Sequence, residues 1–166
     1  MKTLLVALLL SVAALPALAQ DASNEITAEN VIRIMNDYRA QEALPPLAAD
    51  ARLTLAAGDR MQNMEEEGYW SHTSPDGMSP FTWVKVRAYD FKVVGENLAT
   101  GFETAKVLVE SWMESPGHRA NIMGAEFTDC GIAIIEGSTK GPADGKSIVV
   151  LFGRKQDPGN VVVRKR

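Results

Sequence analysis

Sulfur crosslinks and imidazoles are both scarce in this chain, which has one cysteine, Cys130, and two histidines, His72 and His118, in 166 residues. A single cysteine excludes an internal disulfide, so packing must hold the fold together. Set in an apolar, strand-like stretch, Cys130 is expected to be a small buried hydrophobe rather than a reactive thiol. Basic charge is also short: 17 Lys and Arg face 21 Asp and Glu, a formal net charge of −4. The one basic cluster is Arg164-Lys165-Arg166, which leaves a nucleic-acid partner without its electrostatic footprint. A Gly-x-Ser-x-Gly elbow, a P-loop, a dinucleotide fingerprint and a His-Glu-x-x-His zinc motif are all absent. There is no internal repeat and no low-complexity segment.

The longest apolar run covers residues 4–15, broken only by Ser11. It falls well short of the roughly 20 residues that cross a bilayer, so no transmembrane anchor is expected. Lys2 before the run and Ala17-Leu18-Ala19 after it complete a secretory signal peptide over residues 1–19. No lipobox cysteine follows. The expected product is soluble, secreted or periplasmic, with a lead-in at 20–30, one domain at 31–155 and a tail at 156–166.

Helix and strand signals alternate along that domain. Thr27 is a candidate N-cap, and Val31, Ile34, Met35 and Tyr38 form one apolar stripe that Leu44-Pro45-Pro46 ends. A second helix is predicted from about residues 48–50 to Gly68, with Leu53, Ala56, Ala57, Met61 and Met64 inward. Glu65-Glu66-Glu67 at its end reads as a solvated terminus, unfavourable to the helix dipole. A polar segment, residues 68–80, carries Tyr69, Trp70 and His72. Ser79 and Pro80 are expected to start a short helix to about Arg87 with Phe81 and Val84 inward, and Trp83 as a further inward candidate. A further helix, residues 104–114, must stop before Ser115-Pro116, because proline disfavours helical geometry in the residue preceding it. Ser115 then suits the N-cap and Pro116 the first position of a new turn, which puts His118 among unpaired backbone N–H groups. Residues 130–135 and 147–152 are predicted strands with apolar residues on both parities, the mark of a sheet covered on both faces. Residues 160–166 are open between a last strand and a frayed tail. The fold class is α+β.

Both histidines lie in Ser/Pro/Gly-rich segments, and Glu96 lies in an otherwise apolar one. A buried bare carboxylate costs several kcal/mol, so Glu96 must be exposed or paired. Two imidazoles and nearby carboxylates can bind Zn²⁺ or exchange protons near neutral pH. Chemistry alone leaves these readings open.

Four words in order narrow the choice: Ser71-His72-Thr73-Ser74-Pro75-Asp76-Gly77, Gly95-Glu96-Asn97-Leu98-Ala99, Trp112-Met113-Glu114-Ser115-Pro116-Gly117-His118-Arg119-Ala120-Asn121-Ile122, and Phe152-Gly153. Together they resemble the CAP superfamily of cysteine-rich secretory, antigen 5 and pathogenesis-related group 1 proteins, in its bacterial form. The resemblance implies a three-layer α-β-α sandwich with a cleft of two histidines and two acids. It assigns His72, His118 and Glu96 to the cleft as ligands for Zn²⁺ or another divalent cation. Glu114, about one residue out of register, and Asp76 compete for the fourth place. The same resemblance implies a small lipid-like or cell-envelope ligand. The alternatives are a metal-assisted hydrolase of peptide or peptidoglycan, with no catalytic residue identified, and a non-catalytic interaction protein using Tyr69, Trp70 and Trp83.

Overall fold

The structure, a computed structural model, describes residues 24–136 and 145–156. The leader at 1–19, most of the connection after residue 136 and the tail from 157 onward lie outside the described residues.

The elements run α1 (Ala28–Gln41), β1 (Ala48–Ala49), α2 (Ala51–Glu67), α3 (Phe81–Val86), β2 (Phe91–Thr100), α4 (Ala105–Glu114), α5 (Pro116–Met123), β3 (Asp129–Ile135) and β4 (Ser147–Lys155). Four strands form one sheet in the order β1-β3-β4-β2. β1 pairs parallel with β3, and the other pairs are antiparallel. Along β4 the side chains alternate: Ile148, Val150 and Phe152 join one core, Val149 and Leu151 the other. The first core lies under α1, α4 and α5, the second under α2 and α3. The result is the α-β-α sandwich, with the sheet covered on both faces.

Local signals explain most boundaries. Thr27 caps α1 by accepting from Asn30 N–H at 3.2 Å, and Thr104 caps α4 by accepting from Val107 N–H at the same distance. Gly68 ends α2 in the left-handed conformation at φ 70°. Three expectations need correction. Ala48 and Ala49 are a strand rather than a helix start, because their partner is β3, distant in sequence; Asp50 is the cap, accepting from Arg52 N–H at 2.9 Å. The N-cap of α3 is Pro80, with no side-chain cap, not Ser79. Phe81 is 42 % exposed, its ring tilted by 39° against that of Phe91 with centroids 5.9 Å apart, while Trp83 and Val84 take the inward positions. Cys130 is buried as expected, and burial pushes its thiol up to about 12.

Arg39 ties α1 to α5 within one layer and to the loops beside it. Fully buried, it donates to the carbonyls of Ile122 at 2.7 Å, Gly124 at 3.0 Å, Phe127 at 3.1 Å and Pro45 at 2.8 Å. Those carbonyls at the end of α5 have no helical partner, so a cation there also answers the helix dipole. Burial lowers the Arg39 pKa from its ordinary value.

Two glycines define opposite demands. A Cβ on Gly131 would lie 2.1 Å from Leu53 C and Thr54 N, so α2 rests on β3 only because no side chain intervenes. A Cβ on Gly58, in the middle of α2, would meet nothing within 4 Å. Gly131→Ala is therefore expected to cost about 3 kcal/mol, at the upper end of overpacking, and Gly58→Ala to add about 0.5–1 kcal/mol through helix propensity. Urea denaturation of the two variants checks both signs.

Candidate functional site

β2 is an edge strand, and its neighbouring residues face opposite layers. Val94 and Leu98 pack into the α2/α3 core, so Glu96 between them faces α2; Val93 and Ala99 pack into the other core, so Asn97 faces α5. The strand therefore serves both layers at one point.

On the α2 side, Glu96 is buried with 3 % of its side chain exposed, and Arg60 is fully buried against it. Arg60 Nε donates to Glu96 Oε2 at 3.1 Å. Its remaining nitrogens donate to Tyr69 Oη and to the Ser71 carbonyl, and Tyr69 in turn donates to Asn63 Oδ1. The guanidinium lies over the Trp83 ring at 4.8 Å and the Tyr69 ring at 5.3 Å. The second carboxylate oxygen, Oε1, is 2.8 Å from His72 Nδ1. The loop that carries His72 is thus tied to α2 and β2 by one arginine and one glutamate. His72 remains 59 % exposed on its side chain.

On the other side, Asn97 is fully buried and its Nδ2 donates to the His118 carbonyl at 3.2 Å. Asn121 Nδ2 donates to Asn97 Oδ1 at 2.8 Å and to the Glu96 carbonyl at 3.0 Å. A Cβ on Gly95 would come within 2.7 Å of Asn121 Oδ1, so the glycine before Glu96 is what admits α5 to the strand. Pro116 opens α5 as expected, and Ser115 occupies the N-cap without a side-chain bond. His118 sits in the first turn, its ring 6.3 Å from that of Trp112.

The two imidazoles sense one another. The hydrogen bond to Glu96 raises the His72 pKa from 6.5, outweighing partial burial and Arg60. Burial lowers that of His118, and repulsion from His72 adds to the effect. His72 and Glu96 are therefore joined directly, and His118 stands in the electrostatic field of His72.

The other candidates are elsewhere employed. Asp76 accepts from Ser74 Oγ, which closes its own turn and holds its carboxyl below the usual range. Glu114 is exposed at the end of α4 and makes no hydrogen bond or ion pair with either imidazole. Both oxygens of Glu96 are engaged, and among the described residues no three His, Cys, Asp or Glu side chains form a cluster able to hold a metal ion. The three-ligand set of His72, His118 and Glu96 is therefore not assembled as such; Glu96 faces His72 as its hydrogen-bond partner. No Ser, Thr or Cys of the described residues bonds to either imidazole. Arg60 is the residue the sequence reading missed. Its signal was an arginine on the apolar side of α2, between Ala57 and Met61.

The comparisons with known proteins agree with this architecture. The sequence matches the model of the Cysteine-rich secretory protein family (CAP) over residues 32–151. The chain belongs to that family. It is 36 % identical over 108 residues to the uncharacterized protein YkwD of Bacillus subtilis, covering 65 % of this chain and 42 % of that protein. It is 26 % identical over 106 residues to the uncharacterized membrane protein YlbC of the same organism, covering 64 % and 31 %. The chain thus spans less than half the length of these relatives. The fold matches an extracellular protein containing an SCP domain from Bacillus anthracis, with TM-score 0.64, 24 % identity and coverage of 81 % of this chain and 41 % of that one. It also matches an outer surface protein of Borrelia burgdorferi, with TM-score 0.66, 23 % identity and coverage of 80 % and 98 %. Among the described residues no helix is long and apolar enough to cross a membrane.

The shifted imidazoles set a pH signature. His72, raised above 6.5, contributes stability that is complete below 6.5 and is lost as pH rises through its folded value. His118, lowered below 6.5, contributes stability present above 6.5 and lost as pH falls through its folded value. Their joint contribution peaks near pH 6.5. In denaturation curves between pH 5 and 8, His72→Ala is expected to flatten the alkaline limb and His118→Ala the acid limb. Arg60→Met, which strands a buried carboxylate, is expected to cost about 3–5 kcal/mol.

Proposed function

We propose that the chain is an exported binding module whose cleft takes a divalent cation through the imidazoles of His72 and His118, beside a small lipid-like or cell-envelope ligand. One observation carries this reading: Glu96 Oε1 holds His72 Nδ1 at 2.8 Å on a ring that is 59 % exposed. A carboxylate on one ring nitrogen favours the tautomer whose other nitrogen, Nε2, keeps its lone pair for a ligand. Glu96 then orients the ligand histidine and lies outside the coordination itself.

His118 supplies the second donor. Burial and its neighbour keep it neutral to lower pH, and the neutral imidazole is the form that binds metal. Two protein donors leave most of the coordination sphere to water or to an anionic group of a second ligand. A reversible, ligand-bridging ion fits such a site better than a structural Zn²⁺ with four protein ligands. When bound, the cation would supply positive charge for such a group at the mouth of the cleft. Export rests on the leader-like sequence of residues 1–19 and on the extracellular or outer-surface neighbours of the fold.

Calorimetric titration with Zn²⁺ at pH 7.5 is expected to give weak saturable binding that is lost in both His72→Ala and His118→Ala. Glu96→Gln, which cannot orient the ring as a charged acceptor, is expected to weaken it by about 10–100-fold. Affinity should rise with pH between 6 and 8 as His72 gives up its proton. An isotherm unchanged by either histidine variant would remove the metal from the reading.

A further inference from the structure

Arg60 restrains His72 from two directions through groups other than the imidazole. Its Nε donates to Glu96 Oε2 at 3.1 Å, and Glu96 Oε1 holds His72 Nδ1 at 2.8 Å. Another of its nitrogens donates to the carbonyl of Ser71, which belongs to the peptide group leading into His72. Peptide planarity carries that restraint to the His72 Cα. The side chain is thus held at its root and at its ring. A side chain that is 59 % exposed takes little orientation from packing, so these two restraints set where Nε2 points.

The hydrogen bonds also run in a fixed direction. A guanidinium carries donors only, spread in one rigid plane. Arg60 is fully buried, lies over the rings of Trp83 and Tyr69, and has a third arm on Tyr69 Oη, so it has no room to turn away. Whatever atom of residue 96 faces it must accept. An imidazole nitrogen can donate or accept according to its tautomer, so Arg60 has the first claim on residue 96 and His72 takes what is left. A carboxylate leaves an acceptor on that side too. His72 therefore donates from Nδ1, and the lone pair stays on Nε2.

We propose that Arg60 is the positioning residue of the cleft, a donor-only fork that dictates which end of residue 96 meets His72 and so which imidazole nitrogen is left for a ligand. Calling that ligand a metal rests on the reading above, whereas the restraint on the ring applies to anything that Nε2 binds. Charge balance is only part of the role. A lysine would supply the charge but not three arms fixed in a plane.

The test uses the metal-free mature chain with ¹⁵N-labelled histidine at pH 9, where the nitrogen shifts of a neutral imidazole give its tautomer. The wild-type chain is expected to carry the His72 proton on Nδ1. Glu96→Gln turns one acceptor oxygen into an NH₂ group. Arg60 then keeps the remaining oxygen, the NH₂ faces His72, and the ring is expected to hold its proton on Nε2 as a single state. Arg60→Met added to Glu96→Gln frees the amide to turn, and the Nδ1–H form is expected to rise at least fivefold over the single variant. Zn²⁺ titration at pH 7.5 is read separately: Glu96→Gln should bind at least tenfold more weakly, and a wild-type chain that binds no Zn²⁺ would remove the metal reading alone. A His72 proton that stays on Nδ1 in Glu96→Gln, or equal tautomer ratios with and without Arg60, would overturn the proposal.

Discussion

The buried pair of Arg60 and Glu96 is the interaction on which the placement of His72 depends. Arg60 is wholly out of solvent and Glu96 nearly so, and neither could be there alone, since an isolated buried charge costs several kcal/mol. The arginine answers that cost with every arm it has: one on the carboxylate, one on Tyr69 and one on the Ser71 carbonyl, between the rings of Trp83 and Tyr69. A helix, an edge strand and a loop are thereby fixed to one another. His72 inherits its position from that arrangement.

The turn that carries His118 is held by neutral amides rather than charge. Asn97 and Asn121 bond each other and hold α5 by the His118 carbonyl and the Glu96 carbonyl. Arg39 holds the opposite end of the same short helix by its carbonyls. Fixed at both ends, the helix offers a histidine with little freedom to move. The two histidines are tied to strand β2 from different layers, because Glu96 and Asn97 face opposite sides of one strand. Their unlike surroundings push their proton affinities apart, one ring against a carboxylate and the other partly buried without one.

Membership of a family named for cysteines sits beside a chain with one cysteine, buried in the core. The work disulfides do in small secreted domains falls here to two apolar cores on one sheet and to polar clamps. Asp50 is an example: it caps α2, pairs with Arg52 at 2.9 Å and meets Lys155 of β4 at 3.1 Å. Its carboxyl is held far below the usual range by those cations.

Sequence by itself determined the features that rest on local chemistry. The apolar stripe of α1, the glycine end of α2, the stop before Ser115-Pro116, the turn that carries His118 and the strands β3 and β4 were all legible, because capping, proline geometry and periodicity act over a few residues, whereas β2, the longest strand, was not predicted. The words around His72, Glu96 and His118 identified the family and so the sandwich. Tertiary structure alone decided the rest. It made Ala48 and Ala49 a strand through a partner some eighty positions away and turned Phe81 outward. It gave Asp76 to its own turn and brought Arg60 to Glu96 across thirty-six positions. Those outcomes depend on which faces meet, and a charge buried beside another charge looks in the sequence like any arginine on a helix.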